Sequence, residues 1–185
     1  YPGKLSSETL YFPLKNPLKP GEKVELELNY SIELPNNTFT GYGYSDEKAL
    51  LKYFFIVPDG FETEEQPPKS FLDIEETQFG GKYWSVKLQL PEAFSAESNL
   101  KKTGSHTFSG YLNNDPQFYL STTGTDQIIA EVNSEKTNVI FGYTLTPEEK
   151  QNLEFYIPLQ LQFIQKKCGI VPEKIFISEK ERKKN

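Results

Sequence analysis

The sequence predicts a mainly β chain: antiparallel sandwich or saddle-like sheets, followed by one C-terminal α-helix and a short strand. Three observations predict it. Apolar and polar residues alternate at period two in several runs before residue 143. Joints rich in Asn, Asp, Gly and Ser separate these runs. After Thr146 the apolar spacing changes to three and four. With 14 Phe, 11 Tyr and one Trp in 185 residues, the chain holds the core material of a folded domain.

The clearest alternation runs from Val24 to Leu34, with Leu26, Leu28, Tyr30 and Ile32 on one side and Glu25, Glu27, Asn29, Ser31 and Glu33 on the other. It predicts a strand with one buried face, entered through the turn residues Pro13, Pro17, Pro20 and Gly21. Gly41 to Tyr44 reads as a loop. The apolar run Leu50 to Val57, closed by Pro58-Asp59-Gly60, reads as a strand covered on both faces. Phe61 to Lys69 reads as an exposed excursion, Phe71 to Glu76 as a strand and Gly80-Gly81 as a turn.

Tyr83 to Leu90 alternates again, placing Trp84, Val86, Leu88 and Leu90 opposite Tyr83, Ser85, Lys87 and Gln89, and Pro91 ends it. Further strands are predicted at His106–Tyr111, Phe118–Ser121, Ile128–Val132 and Thr137–Tyr143. Thr146-Pro147-Glu148-Glu149 supplies an N-cap hydroxyl, a proline at the first helical position and a capping-box glutamate. Leu153, Ile157, Leu161, Ile164 and Cys168 then form one apolar stripe. Lys166 and Lys167 suit the negative end of the helix dipole and Gly169 terminates it, while Pro158 predicts a kink. A strand at Lys174–Ser178 and a charged run Glu179–Lys184 follow.

The charge balance, 20 Lys plus Arg against 26 Asp plus Glu and a net −6, argues against nucleic acid as the main partner, because counterion release needs a basic surface. No apolar run is long enough to span a membrane. A single Cys168 makes no internal disulfide, and with His106 as the single imidazole no ligand cage for zinc can be assembled. The chain opens on Tyr1 and contains no Met, as expected of a processed or excised segment.

Candidate chemistry is sparse. His106 with Ser105 or Ser109 and Asp115 could be written as a triad, but sequence neighbours rarely form one, and a surface or edge imidazole is the simpler expectation. Glu62, Glu64, Glu65, Glu75 and Glu76 lie in polar, proline-bearing surroundings that favour ordinary solvated carboxylates over a glycosidase pair. Cys168 closes the helix stripe and is expected to be a small buried hydrophobe. Gly41-Tyr42-Gly43 lacks the strand–helix context of a phosphate loop. Tyr42, Tyr44 and Tyr53 are expected in a core before a sugar-stacking platform. No catalytic, cofactor-binding or metal-ligating residue is assigned.

Several stretches together resemble the aminopeptidase N-like (gluzincin) zinc metallopeptidases. PLKPGEKVELELNY, Pro17 to Tyr30, is similar to the segment where that family's N-terminal β domain enters a central strand. FTGYGYSDEKALLKYFFIVP, Phe39 to Pro58, resembles the following loop and strand of bacterial members. Asp73 to Thr77, Tyr83 to Pro91 and Ser98-Asn99 resemble nearby strands and a Ser-Asn turn. Gln160 to Ser178 resembles the first helix and strand of the catalytic domain. The family's H-E-x-x-H and Gly-x-Met-Glu-Asn motifs are absent from these residues.

The resemblance implies a non-catalytic N-terminal β domain at 1–143 and the truncated beginning of a catalytic-type domain at 144–185. Zinc is then expected in the catalytic domain of the parent and no cofactor in this segment. The expected partners are that catalytic domain and, in the parent, a peptide substrate, with no nucleic acid and no membrane contact from this segment. The domain would border the cleft and contribute an acidic or amide group to the substrate's α-ammonium, with Asp59 to Glu65 as the first loop to inspect. A periplasmic or cell-envelope location is favoured for the parent. The alternative is a free-standing β-sandwich module that binds carbohydrate or a protein surface; a serine or glycoside hydrolase ranks last.

Overall fold

The structure is a computed structural model that describes residues 4–6, 9–37, 42–45, 47–58 and 81–177. The expected features at Asp59–Glu65, Phe71–Glu76, Gly80 and Glu179–Lys184, including the acidic cluster, lie outside these residues. The chain is mainly β, and it divides into two compact units, Tyr1–Ile32 and Glu33–Asn185.

In the first unit, β1 (Lys4–Ser6) pairs antiparallel with β2 (Thr9–Tyr11). A turn follows in which the Glu22 N–H donates to the Lys19 carbonyl and Gly21 takes a φ of 85°. The expected strand from Val24 to Leu34 is not formed: no ladder involves these residues, and Val24, Leu26, Leu28, Tyr30 and Ile32 are all exposed. Alternation creates two chemically distinct faces, but a strand also requires a neighbour that takes up its backbone donors and acceptors. Among the described residues these eleven have none.

The second unit has two layered parts. In the first, β3 (Gly43–Tyr44), β4 (Lys48–Leu51), β9 (Phe118–Ser121) and β6 (Ser95–Ser98) form one sheet in the order β3-β4-β9-β6. The strands β5 (Lys82–Lys87), β8 (Thr107–Leu112) and β7 (Lys101–Gly104) form a second, in the order β5-β8-β7. Both are antiparallel, and their inward residues share one core: Ala49, Ala96, Phe118 and Leu120 from the first sheet, Phe108 from the second, with Trp84 and Val86 packed against it. This is the predicted sandwich.

The chain passes between the two sheets at Asn99-Leu100. There the Leu100 N–H donates to Ser98 Oγ, Asn99 bridges the Asp115 carbonyl and the Gln117 N–H, and the Leu100 side chain is buried.

The second part is built on β10 (Asp126–Val132) and β11 (Glu135–Phe141), joined by a two-residue turn whose residues, Asn133 and Ser134, both have positive φ. That geometry matches the right-handed twist of a hairpin. The helix α1 (Pro147–Cys168) then crosses over, and β12 (Lys174–Ile177) lies parallel to β11. The capping box forms as expected: Thr146 Oγ accepts from the Glu149 N–H, the Glu149 carboxylate accepts from the Thr146 N–H, and Gly169 caps the far end at φ 74°. Pro158 is accommodated inside the single helix. Ile157 and Leu161 are buried against Ile128, Ala130, Val139 and Phe141, with Leu153 and Ile164 alongside. In the second unit α1 and β12 join the β10–β11 hairpin.

Two further expectations are corrected. The run Leu50–Val57 is a strand only as far as Leu51, and its later residues are half-buried or exposed, because Tyr53 takes a φ of 65° that no pleated strand can hold. Cys168 is exposed rather than buried. Asn133, in the hairpin turn, hydrogen-bonds Gln165 at 2.6 Å, so the sheet ends beneath that turn of the helix and Cys168 lies beyond it.

The packing assigns the helix faces different energetic weights. Leu161→Ala is expected to lower unfolding stability by roughly 3 kcal/mol, and Phe163→Ala, whose side chain is exposed, by less than about 0.5 kcal/mol. Urea denaturation of the two variants checks this, and equal losses would contradict the packing.

Candidate functional site

Where β4 ends, the left-handed turn at Tyr53 directs the chain so that Lys52 meets two aromatic rings. The Lys52 ammonium lies 4.5 Å from the Tyr53 ring centroid and 5.2 Å from that of Tyr42, and it donates to Tyr42 Oη at 3.3 Å. The two rings meet edge to face, with centroids 5.4 Å apart. Burial pulls the Lys52 pKa down, but hydrogen bonds and charge interactions with Tyr53 and Tyr42 outweigh it and leave the value raised. Lys52 therefore remains a cation at neutral pH and is unsuited to act as a nucleophile or base.

Asp115 follows β8 and is 4% exposed. Its Oδ1 is buried with no hydrogen-bond partner. Burial raises its carboxyl above the ordinary range, and the Lys82 and Lys52 ammoniums offset part of that rise. Such a group holds its proton to higher pH than a solvated carboxylate.

Beside this cluster, Ile56, Pro58, Lys82, Tyr83 and Trp84 line an open groove of about 410 Å³. Tyr83, one of the lining residues, stands on the outward face of the β5–β8–β7 sheet. There it sits directly opposite Tyr111, with ring centroids 5.0 Å apart. The groove has mainly apolar walls, with the Lys82 side chain among its lining residues.

The residues weighed from sequence are largely kept apart. His106 occupies the turn between β7 and β8, half-buried, with its carbonyl accepting from the Leu88 N–H. Asp115 lies past the opposite end of β8, a strand of about 20 Å, so no Ser-His-Asp arrangement is assembled. Gly43 has a φ of 115°, and a Cβ there would collide with the Pro35 carbonyl, so this glycine serves a close backbone approach. Tyr42 and Tyr53 come together, but around Lys52 and not as a flat platform, while Tyr44 is exposed on β3.

The described residues do not fit a zinc site. No three ligating side chains converge among them, and the one imidazole and the one thiol lie in separate parts of the chain. No helix among the described residues is long and apolar enough to cross a membrane.

Sequence reasoning missed three features: the unpartnered Asp115 carboxyl, the Tyr83–Tyr111 pair and the outward face of α1. The first had no local signal. The second was implied by the alternation that set Tyr83 opposite Trp84. The third was legible as Phe155, Leu159 and Phe163 at spacings of four.

The Asp115 environment has a consequence for pH. The native state keeps the proton over a range in which the unfolded chain releases it, so the stability present at acidic pH is lost as pH rises through the raised pKa. Asp115→Asn removes the titration and is expected to gain on the wild type as pH rises above about 4, the ordinary carboxyl value, until the raised pKa is passed. Urea denaturation from acidic to neutral pH reads the difference, and a pH-independent gap would contradict it. Comparison with known proteins finds no matching family model, no matching curated protein and no matching solved structure.

Proposed function

We propose that the chain is a non-catalytic β domain that packs beside the catalytic domain of an aminopeptidase N-like zinc peptidase and borders its peptide-binding cleft. The observation that supports this is the outward face of α1. Phe155, Tyr156, Leu159 and Phe163 are each about half exposed or more, while Ile157 and Leu161 on the other side are buried. From Phe155 to Phe163 the stripe runs about 12 Å along the helix. A helix that is apolar on two sides belongs between two layers, and the chain's own sheet supplies one of them. A neighbouring globular domain would supply the other. Zinc, in this reading, is held by the catalytic domain and by no residue of this chain.

A second reading, the free-standing carbohydrate- or protein-binding module, is favoured by one observation: the inner stripe of α1 is already covered by the β10–β11 hairpin.

The reading frame beyond Asn185 tests the first proposal. H-E-x-x-H within roughly the next hundred residues is expected, and a stop codon there would overturn it. In the full gene product, Leu159→Asp is expected to lower both thermal stability and peptidase turnover, whereas in the isolated 185-residue chain it should change stability by less than about 0.5 kcal/mol. A variant neutral in both settings would count against domain packing on this face.

A further inference from the structure

We propose that the outward face of the β5–β8–β7 sheet binds an acidic polysaccharide, a polymer of sugar rings bearing carboxylates. Pairing register defines that face. Tyr83 stands opposite Tyr111, Ser85 opposite Ser109, and Lys101 opposite Ser109 on its other side. Lys87 lies one step further along β5 on the same side, since successive outward residues are two apart.

Tyr83 is 59% exposed and Tyr111 78%, so two large rings stand in solvent away from either hydrophobic core. They meet edge to face at 66°, and each tyrosine combines an apolar ring face with a polar hydroxyl edge. A pyranose has the same division, apolar on its C–H face and polar around its rim, and the pair suits it better than it suits a flat apolar ligand.

Beyond the tyrosines the face is made of hydroxyls and ammoniums. A ring polymer lying along β5 and β8 meets the aromatic pair first, then the Ser85–Ser109–Lys101 row about 7 Å on, then Lys87 about 7 Å beyond that. None of the outward strand positions of this sheet carries a carboxylate, although the chain has 26 acidic residues and a net charge of −6. This local sign reversal is the charge complementarity that selects an anionic partner.

Two other occupants fit less well. A protein surface would need a continuous apolar centre, and the rows beyond the tyrosines are polar. A nucleic acid depends on many phosphate contacts, and two exposed lysines on a net-acidic chain provide few.

The assignment is independent of what covers α1, so its failure would leave the domain-packing proposal standing, and the converse holds too. Affinity electrophoresis of the purified chain in gels containing alginate, dextran or single-stranded DNA tests it. Retardation is expected with alginate and not with dextran, and it should weaken as salt rises. Tyr111→Ala and Tyr83→Ala, both at exposed positions, should each reduce alginate affinity about tenfold with an unchanged circular dichroism spectrum. The double variant Lys87→Gln/Lys101→Gln should remove most of the salt dependence. Failure to bind alginate would overturn the proposal, as would equal retardation by dextran. Equal retardation by DNA with no effect of the tyrosine variants would also overturn it, reducing the contact to bare charge.

Discussion

Strand β9 holds the second unit together. All four of its residues, Phe118, Tyr119, Leu120 and Ser121, are buried, so neither of its faces reaches water. Phe118 and Leu120 enter the sandwich core. On the opposite face, Tyr119 donates its hydroxyl to the Gly142 carbonyl at the end of β11. A Cβ at residue 142 would sit 2.5 Å from the Tyr119 ring, so the glycine is required by the contact itself. A second tie runs from β12, where Lys174 donates to the carbonyls of Ser98 at 2.7 Å and Leu100 at 3.4 Å. Burial pulls this lysine below the usual range, Glu97 opposes that shift and Lys102 adds to it. The two ties attach the helix-bearing part to the corner where the chain changes sheets.

The legible parts of the fold were those in which local chemistry and tertiary packing agree. The helix carried its own start and stop signals, and its stripe of Leu153, Ile157, Leu161 and Ile164 found the sheet it required. Tyr83 to Lys87 alternates in sequence and in exposure alike. Val24 to Leu34 shows what alternation leaves undetermined. Its pattern separates two faces, yet pairing depends on another segment that the pattern does not specify. At Tyr53 the obstacle was conformational: an apolar run reads as a strand whatever its φ values, and one left-handed residue ended it.

The candidate site was harder to read because it depends on register. Tyr83 and Tyr111 are 28 positions apart in the chain and become neighbours only when β5 aligns with β8. The Lys52 clamp likewise requires the turn at Tyr53, and Asp115 became notable through its burial, which no flanking residue announces. Residue types gave the inventory of chemistry. The pairing of strands decided which members of it meet.

The parallel placement of β12 has a consequence for how the protein is made. Lys174 closes on Ser98 across 76 residues of chain, so the corner it ties stays open until the C-terminal strand has been synthesised. At about 5–20 residues per second, the ribosome takes roughly 4–15 s to cover that interval. For the part of that interval between Phe141 and the end of α1, the side of the β10–β11 hairpin that carries Val139 and Phe141 has no helix to cover it. The sandwich strands are available for early pairing, whereas the β11–α1–β12 crossover can only lock last.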